Sequence, residues 1–418
     1  MNFEDPRFVA AAWANVAEPG DVWAGALREQ LGSAEALKWA SDQFVPLPEN
    51  VEAPGGQRGK GAAPGWRAAY KRWQPRFYDL DVERDMEQLQ KLGGRLVIPG
   101  DDEWPDQFAD LEFRVPPALW VLGRGRLTSN VEPSVSIVGA RSATSYGVRV
   151  SSEIAFDLAE AGITVVSGGA YGIDAAAHRG ALDASTEKRR RLAKTGEGMV
   201  QTHPSTVAVV CGGLANLYPQ GNENLFRRIA EENGVIVAEV PPRFRPARWR
   251  FLERNRLIAA WADVTVVPEA GLRSGALATA NRALELGRDV GAVPGPITSF
   301  ASAGPHSLIQ HGAALVESAR DVIELMVGVQ SQPGERGTPD QPRSNNPYAP
   351  SVEVEAKLDG LGPVARRVYE ALPATSSATT GSVVRAAGLS NEDVGGALLS
   401  LRLADLASRD GEKWSRAS

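Results

Sequence analysis

The sequence holds a single cysteine, Cys211, so no internal disulfide is open to it and a reducing compartment is its natural setting. Its four histidines are scattered and share no ligand spacing with that cysteine, which argues against a zinc site. No apolar run approaches the roughly 20 residues needed to cross a bilayer. The start, MNFEDPRFVAAAW, carries acids where a secretion signal needs positive charge. These lacks point to a cytoplasmic protein with no membrane contact, no metal and no cofactor. The G-x-G-x-x-G fingerprint of dinucleotide sites is missing too, since the nearest loop, GARSATSYG, has Arg141 where the second glycine belongs. There is no Walker lysine loop. No Ser–His–Asp set or carboxylate pair stands out for catalysis, so no catalytic residue is expected. An overall basic charge is absent as well: the formal net charge is −6. That does not exclude a polyanionic partner, because local field matters more than the sum.

Against this acidic background one block stands apart. PPRFRPARWRFLERNR, residues 241–256, sets Arg243, Arg245, Arg248, Arg250, Arg254 and Arg256 around Phe244, Trp249 and Phe251, with Glu253 as its only acid. A solvated basic face seldom interleaves rings with its charges, because rings are costly to expose unless they pack or stack. Trp249 and Phe251 read either as stacking residues or as core contacts of the helix that follows.

The block sits in a regular rhythm. At 418 residues the chain is long enough for about two to three domains. From about 133 to 327, apolar β-rich runs (VSIVGA, ITVVSGG, TVAVVCGG, VIVAEV, VTVVPEA, DVGAVP) alternate with helical stretches. Runs apolar throughout, joined by crossover helices, predict a parallel sheet covered on both faces, a doubly wound Rossmann-like α/β fold. Before it, DVWAGALREQLGSAEALKWA and VERDMEQLQKLGG have helical spacing, and GRLVIPGDDEWPDQF reads as a short strand and a turn. After it, GVQSQPGERGTPDQPRSNNPYAPSVEVEA reads as a flexible linker. The tail reads as three helices with a wing around 409–414.

Ligands of such a sheet sit at the carboxyl ends of its strands. There the sequence places Gly139, Arg141 and Ser142; then Ser167, Gly168, Gly169 and Asp174; then Tyr218, Pro219, Gln220 and Asn222; then the arginine block; then Arg273 and Ser274. Glycines admit close approach and expose amides, helix N-termini favour anions, and Arg141, Arg254, Arg256 and Arg273 can add forked bonds to phosphate. Asp174 also reads as a helix cap. His178, one turn on, reads equally as a satisfied helix residue or a site residue. Arginines that track a backbone and rings that stack on unpaired bases, at about 1–3 kcal/mol per base, fit single-stranded DNA. The competing readings are a nucleotide-binding or nucleotide-hydrolysing enzyme on a related scaffold, and a scaffold that mainly binds protein through its terminal regions.

VGARSATSYG, SGGAYGIDAAAHRGAL, CGGLANLYPQGNENL, RNRLIAAWADVTVVPEAGLRSGALATANRALELGRDVGAVPG and SAGPHSLIQHGA resemble, in order, the DNA-processing protein A (DprA/Smf) family. The resemblance implies a non-catalytic, homodimeric single-stranded-DNA binder of natural transformation and recombination, which protects DNA, displaces single-strand-binding protein and loads RecA. It carries the DNA pocket to Arg141, Ser167, Gly168, Gly169, Asn222, Arg254, Asn255 and Arg256. The expected organisation is a helical SAM/HhH-like region over 1–95, the DNA-binding domain over 96–327, a linker over 328–360 and a winged-helix-like domain over 361–418. Gln220 stands where relatives often have a lysine, and Gly304-Pro305-His306 replaces a Gly-Thr-Asn element. A basic insertion over 183–205 carries Lys188, Arg189, Arg190, Arg191 and Lys194, and reads as a surface loop or an accessory DNA contact. The remainder of the arginine block, Arg243 to Arg250, reads as a flanking track for the strand.

Overall fold

The structure, a computed structural model, describes residues 1–42, 51–56, 63–127, 133–195, 203–327, 361–372, 377–387, 389, 391–411 and 413–416. The chain divides into two compact units, Met1–Gln330 and Ser331–Ser418. The linker expected over 328–360 lies outside the described residues. Among the described residues, no helix is long and apolar enough to cross a membrane.

The first unit opens with helices α1 (Pro6–Val16), α2 (Val22–Leu31), α3 (Ser33–Ser41), α4 (Ala63–Phe77) and α5 (Val82–Lys91). Aspartates start three of them. Asp5, Asp21 and Asp81 accept the otherwise unpaired first-turn amides of Arg7, Trp23 and Arg84. Their buried faces are rich in tryptophan: Trp13 meets Trp73 edge to face at 5.6 Å. This cluster is continuous with Leu182, Phe226 and Ile236, so the helices share a core with one face of the sheet that follows.

That sheet has nine strands: β1 (Arg95–Val97), β2 (Leu119–Leu122), β3 (Ser134–Ile137), β4 (Thr164–Ser167), β5 (Thr206–Val210), β6 (Gly234–Ala238), β7 (Val264–Val267), β8 (Asp289–Ala292) and β9 (Ala314–Leu315). The spatial order is β1-β2-β6-β5-β4-β3-β7-β8-β9. From β6 to β9 every neighbouring pair is parallel; β2 and β1 add an antiparallel edge. The six expected strands are all present, while β2 and β9 are additions. Residues of β3 to β7 are buried on both faces, as their β-branched runs require. The crossovers are α6 (Ser145–Glu160), α7 (Ile173–Thr195), α8 (Glu223–Glu231), α9 (Arg248–Trp261), α10 (Gly275–Glu285) and α11 (Ala303–Gln310), followed by α12 (Ala319–Met326). The chain leaves β3 in one direction through β4, β5 and β6, then returns to β7 on its other side. The crevice between β3 and β7 is therefore the switch point of the sheet.

The basic insertion is not a loop where it is described. α7 continues as helix through Thr195, because Glu, Lys, Arg, Leu and Ala are good helix formers and cations suit a helix carboxyl end. His178 on this helix already lies level with Thr206, the first residue of β5. Residues 188–194 therefore lie beyond the amino edge of the sheet, on the side away from the strand ends. They cannot stand in for a lysine at Gln220.

The arginine block docks the N-terminal helices. Arg243 reaches buried Asp85 at 2.9 Å and also donates to Asn15 Oδ1 at 3.3 Å. Arg250 grips Glu18 with two bonds of 3.0 and 2.9 Å, and Arg76 binds the same carboxylate. Glu253 pairs with Arg114 at 2.5 Å. Arg243 and Arg250 are thus structural, not a track for a ligand.

The second unit holds α13 (Pro363–Ala371), α14 (Thr380–Ala387) and α15 (Asn391–Leu403), with a three-stranded antiparallel sheet of β10 (Ala378–Thr379), β11 (Ala407–Asp410) and β12 (Lys413–Arg416) in the order β10-β12-β11. Val368, Val383, Leu398 and Trp414 lie in its own core.

Burial raises the Glu18 carboxyl, but hydrogen bonds and charge from Arg250 and Arg76 outweigh it and hold it at about 2, against an ordinary 4.5. Its stabilisation is complete above pH 4.5 and is lost as the pH falls through about 2. Glu18→Gln should destabilise the protein at neutral pH in urea titrations. The deficit should shrink as the pH falls below 4.5; a deficit that does not change with pH would contradict the ion-pair assignment.

Candidate nucleic-acid interface

Two protein carboxylates occupy the places at the strand ends where a bound phosphate is expected. After β7, Glu269 turns its buried side chain into the switch point and accepts the amide of Thr144 at 2.9 Å and the hydroxyl of the same residue. Thr144 caps α6 by accepting the amide of Gly147 at 3.2 Å. Gly147 must lack a side chain, since a Cβ there would fall 2.3 Å from the Glu269 carboxyl group. The helix N-terminus that holds pyrophosphate in dinucleotide folds is thus filled from within.

The loop after β4 is closed in the same manner. Asp174, at the start of α7, accepts the amides of Gly168 at 3.1 Å and Ala170 at 3.4 Å. Burial raises its carboxyl, while Arg254 and the amides of Ala170, Gly139 and Gly168 oppose that shift. Asn222 holds the other side of the loop, donating to the carbonyls of Gly169 and Ala170 at 3.0 and 3.1 Å. Gly169 has φ +67 and lies on the ring of Phe226. Gly168 lies on the Arg254 guanidinium, where a Cβ would be 1.8 Å from Nη1. The amides of Gly168 and Ala170, expected to face an anion, are turned inward.

Charge reaches solvent through side chains. Arg141 is exposed, and its guanidinium lies 5.1 Å from the centroid of Phe251, within cation–π range. Phe251 meets Tyr218 edge to face at 5.8 Å. Tyr218 and Tyr171 are each 45% exposed, and the Tyr171 hydroxyl accepts the amide of Gly221 at 3.2 Å. The loops after β3, β4 and β5 and the helix after β6 so converge on one cationic, aromatic rim. Beyond the switch point, Arg273 is exposed, Ser274 caps α10 by accepting the amide of Ala276, and Asn255 bridges α9 to the Gly275 carbonyl at 3.4 Å.

Residues 95–327 match the family described as DNA recombination-mediator protein A. The putative DNA processing protein DprA of Mycobacterium tuberculosis is 45% identical over 341 residues, 79% of each chain. Protein Smf of Escherichia coli is 35% identical over 259 residues, 62% of each chain. The crystal structure of DNA processing protein A from Streptococcus pneumoniae superposes with a TM-score of 0.53 at 26% identity, covering 77% of this chain and 97% of that one. The chain belongs to the DNA recombination-mediator protein A family. The resemblance read from its ordered motifs and the Rossmann-like fold are both borne out.

Within this family frame the expected site residues separate into three groups. Arg141 and Arg273 are exposed, and Gly139, Asn255 and Ser274 are half-buried beside them. Ser167, Gly168, Gly169, Asp174, Asn222 and Arg254 are buried and build the loops from beneath; Ser167 Oγ donates to the Ile137 carbonyl and Arg254 Nη1 to the Val209 carbonyl. His178 and Arg256 form the third group, inside the core. His178 has no exposed surface and bonds Thr206 Oγ1 at 2.7 Å, inside the fold. Arg256 is 2% exposed, and its two terminal nitrogens grip the Glu239 carboxylate at 2.7 and 2.6 Å. Both lie where their helices are buried on every side, residues 173–178 of α7 and 256–260 of α9. Of the rim's rings, Phe251 was read from sequence as either a stacking or a core residue and Tyr218 was placed at a strand end, while Tyr171, in the loop after β4, was not singled out.

Removing one partner of a buried pair strands a charge, so Arg256→Ala should cost about 3–5 kcal/mol in urea unfolding. The double change Arg256→Met with Glu239→Leu should recover most of that loss; equal losses in both would contradict the pairing. Burial, with the nearby Arg254 charge adding to it, pushes the His178 imidazole from 6.5 down to about 3. The unfolded chain therefore takes up a proton that the folded chain refuses, and stability falls as the pH drops from 6.5 towards 3. His178→Leu should flatten this limb of the stability–pH curve, which chemical unfolding at stepped pH will read.

Proposed function

We propose that this protein binds single-stranded DNA along the carboxyl edge of its sheet and acts as a non-catalytic recombination mediator. In this reading it works in the cytoplasm as a homodimer, protects the strand, displaces single-strand-binding protein and loads RecA. The observation that carries it is the rim formed by Arg141 over Phe251 with Tyr218 alongside. A cation beside exposed rings suits a polymer with a charged backbone and unpaired bases. Because Glu269 and Asp174 already hold the amides of Thr144, Gly168 and Ala170, binding rests on exposed side chains and an open surface. Membership of the recombination-mediator family supports the same reading.

The enzyme reading fares worse on the same geometry. Of the buried carboxylates at the strand ends, Glu269 and Asp174 hold backbone amides in place and Glu239 is taken up by Arg256. A nucleotide hydrolase would need such a group free to act on water.

Titration of labelled single-stranded and duplex oligonucleotides across a salt series tests the proposal. The single strand should bind more tightly, with a steep salt dependence. Arg141→Ala and Arg273→Ala should each weaken binding to all base sequences alike and lower the logarithmic salt slope by about 0.7, the value of one phosphate contact on a single strand. Equal, weak binding of both forms would overturn the proposal.

A further inference from the structure

We propose that the solvent face of α9 is a base-stacking track that continues the strand path from the Arg141–Phe251 rim, with Trp249 as its stacking platform and Arg245 and Arg248 as its grip on the backbone. This rests on the single-strand reading above and extends it from Asn255 to Arg245, Arg248, Trp249 and Leu252, which none of the quoted family motifs includes.

Positions 248, 249, 252 and 255 share one face of α9. Trp249 is 58% exposed and Leu252 62%, side by side on that face. Arg245 and Arg248 are exposed, and neither guanidinium has an ion pair or hydrogen bond among the described residues. The block's one acid, Glu253, is already neutralised by Arg114. Arg245 and Arg248 thus have no anion beside them among the described residues, and a nucleic-acid backbone supplies one.

The ring is held ready. Trp249 Nε1 donates to Glu18 Oε2 at 3.2 Å, and the Arg250 guanidinium lies 5.9 Å from the ring centroid, itself fixed by Glu18. A platform ordered before binding loses little freedom when a base lands on it. The face is also continuous with the proposed interface at both ends. Phe251, three residues from Arg248 and four from Asn255 and so their neighbour on the helix surface, carries Arg141, while Asn255 bonds the Gly275 carbonyl beside Ser274 and Arg273. A strand following α9 would thus join the two exposed arginines of the rim through one apolar, cationic stripe.

The test uses the full chain and a fluorescent oligo-dT of about twenty nucleotides, longer than the usual single-strand site. Trp249→Ala should weaken binding about tenfold, the worth of one stacked base. Trp249→Phe, which keeps a stacking face and loses only the bond to Glu18, should stay within about twofold of the unmodified protein. Arg245→Ala with Arg248→Ala should lower the salt slope by about 1.4, two contacts at the single-strand value. Equal losses in Trp249→Ala and Trp249→Phe would make the residue a structural partner of Glu18 and overturn the proposal. So would unchanged binding by Trp249→Ala while Arg141→Ala is weakened; the single-strand reading would then stand with the strand running elsewhere. If neither variant weakens binding, both readings fall.

Discussion

Arg256 and Glu239 form a two-pronged ion pair with almost no exposed surface, and the setting of α9 depends on it. The same guanidinium donates to the Arg114 carbonyl at 2.8 Å, so one side chain ties α9, the turn after β6 and the segment before β2. Arg28 stands close by; burial lowers its guanidinium to about 10, with Glu239 opposing that shift and Arg256 adding to it. Two charges taken out of water gain little net stability over apolar residues of the same size. What the pair does fix is rotation. Arg256 lies on the same side of α9 as Leu252 and Trp249, so the pair clamps that side against the segment before β2 at Arg256, while the first turns of the helix stay open to solvent.

A second constraint acts at the strand ends. Glu269 on the Thr144 amide and Asp174 on the amides of Gly168 and Ala170 perform internally the task that phosphate performs in nucleotide-binding relatives of this fold. The loops keep their tight, glycine-dependent shape, but the amides they would offer a ligand are already paired. A small anion gains nothing from entering. A polymer that lies across the rim and meets several arginines in succession still gains from each of them. The fold therefore separates shape from binding: buried acids hold the loops, and exposed guanidiniums and rings meet the partner.

This division explains how far the sequence could be read. The six parallel strands were legible because runs such as TVAVV and GVIVA are apolar on both faces, a pattern few other settings produce. Strand β2, LWVL, was not, because four apolar residues have no period that separates strand from helix. β9 is shorter still, two residues recognisable only by pairing with β8. At the site, residue types were legible and directions were not. RWRFLERNRLIAAW places arginine and aromatic residues on every side of α9, so no polar stripe reveals which face is buried. The phase is set by Glu18, Glu239 and Arg114, far away in sequence, and only the fold brings them together. The burial of His178 was hidden for the related reason that the first turns of α7 are buried on every side.

The arginine block is thus two structures interleaved. Arg243, Arg250, Arg254 and Arg256 turn inward, to Asp85, Glu18, the Val209 carbonyl and Glu239. Arg245 and Arg248 turn outward beside Trp249. The inward set makes the outward set possible, since a helix with several exposed cations repels itself unless something anchors it. The anchors for two of the four inward residues come from the N-terminal helices, whose Glu18 binds Arg250 and Trp249 and whose Asp85 binds Arg243. Those helices contribute little to the rim itself. Their acids hold α9 in place from behind, and the face that α9 shows to solvent is as well ordered as that support.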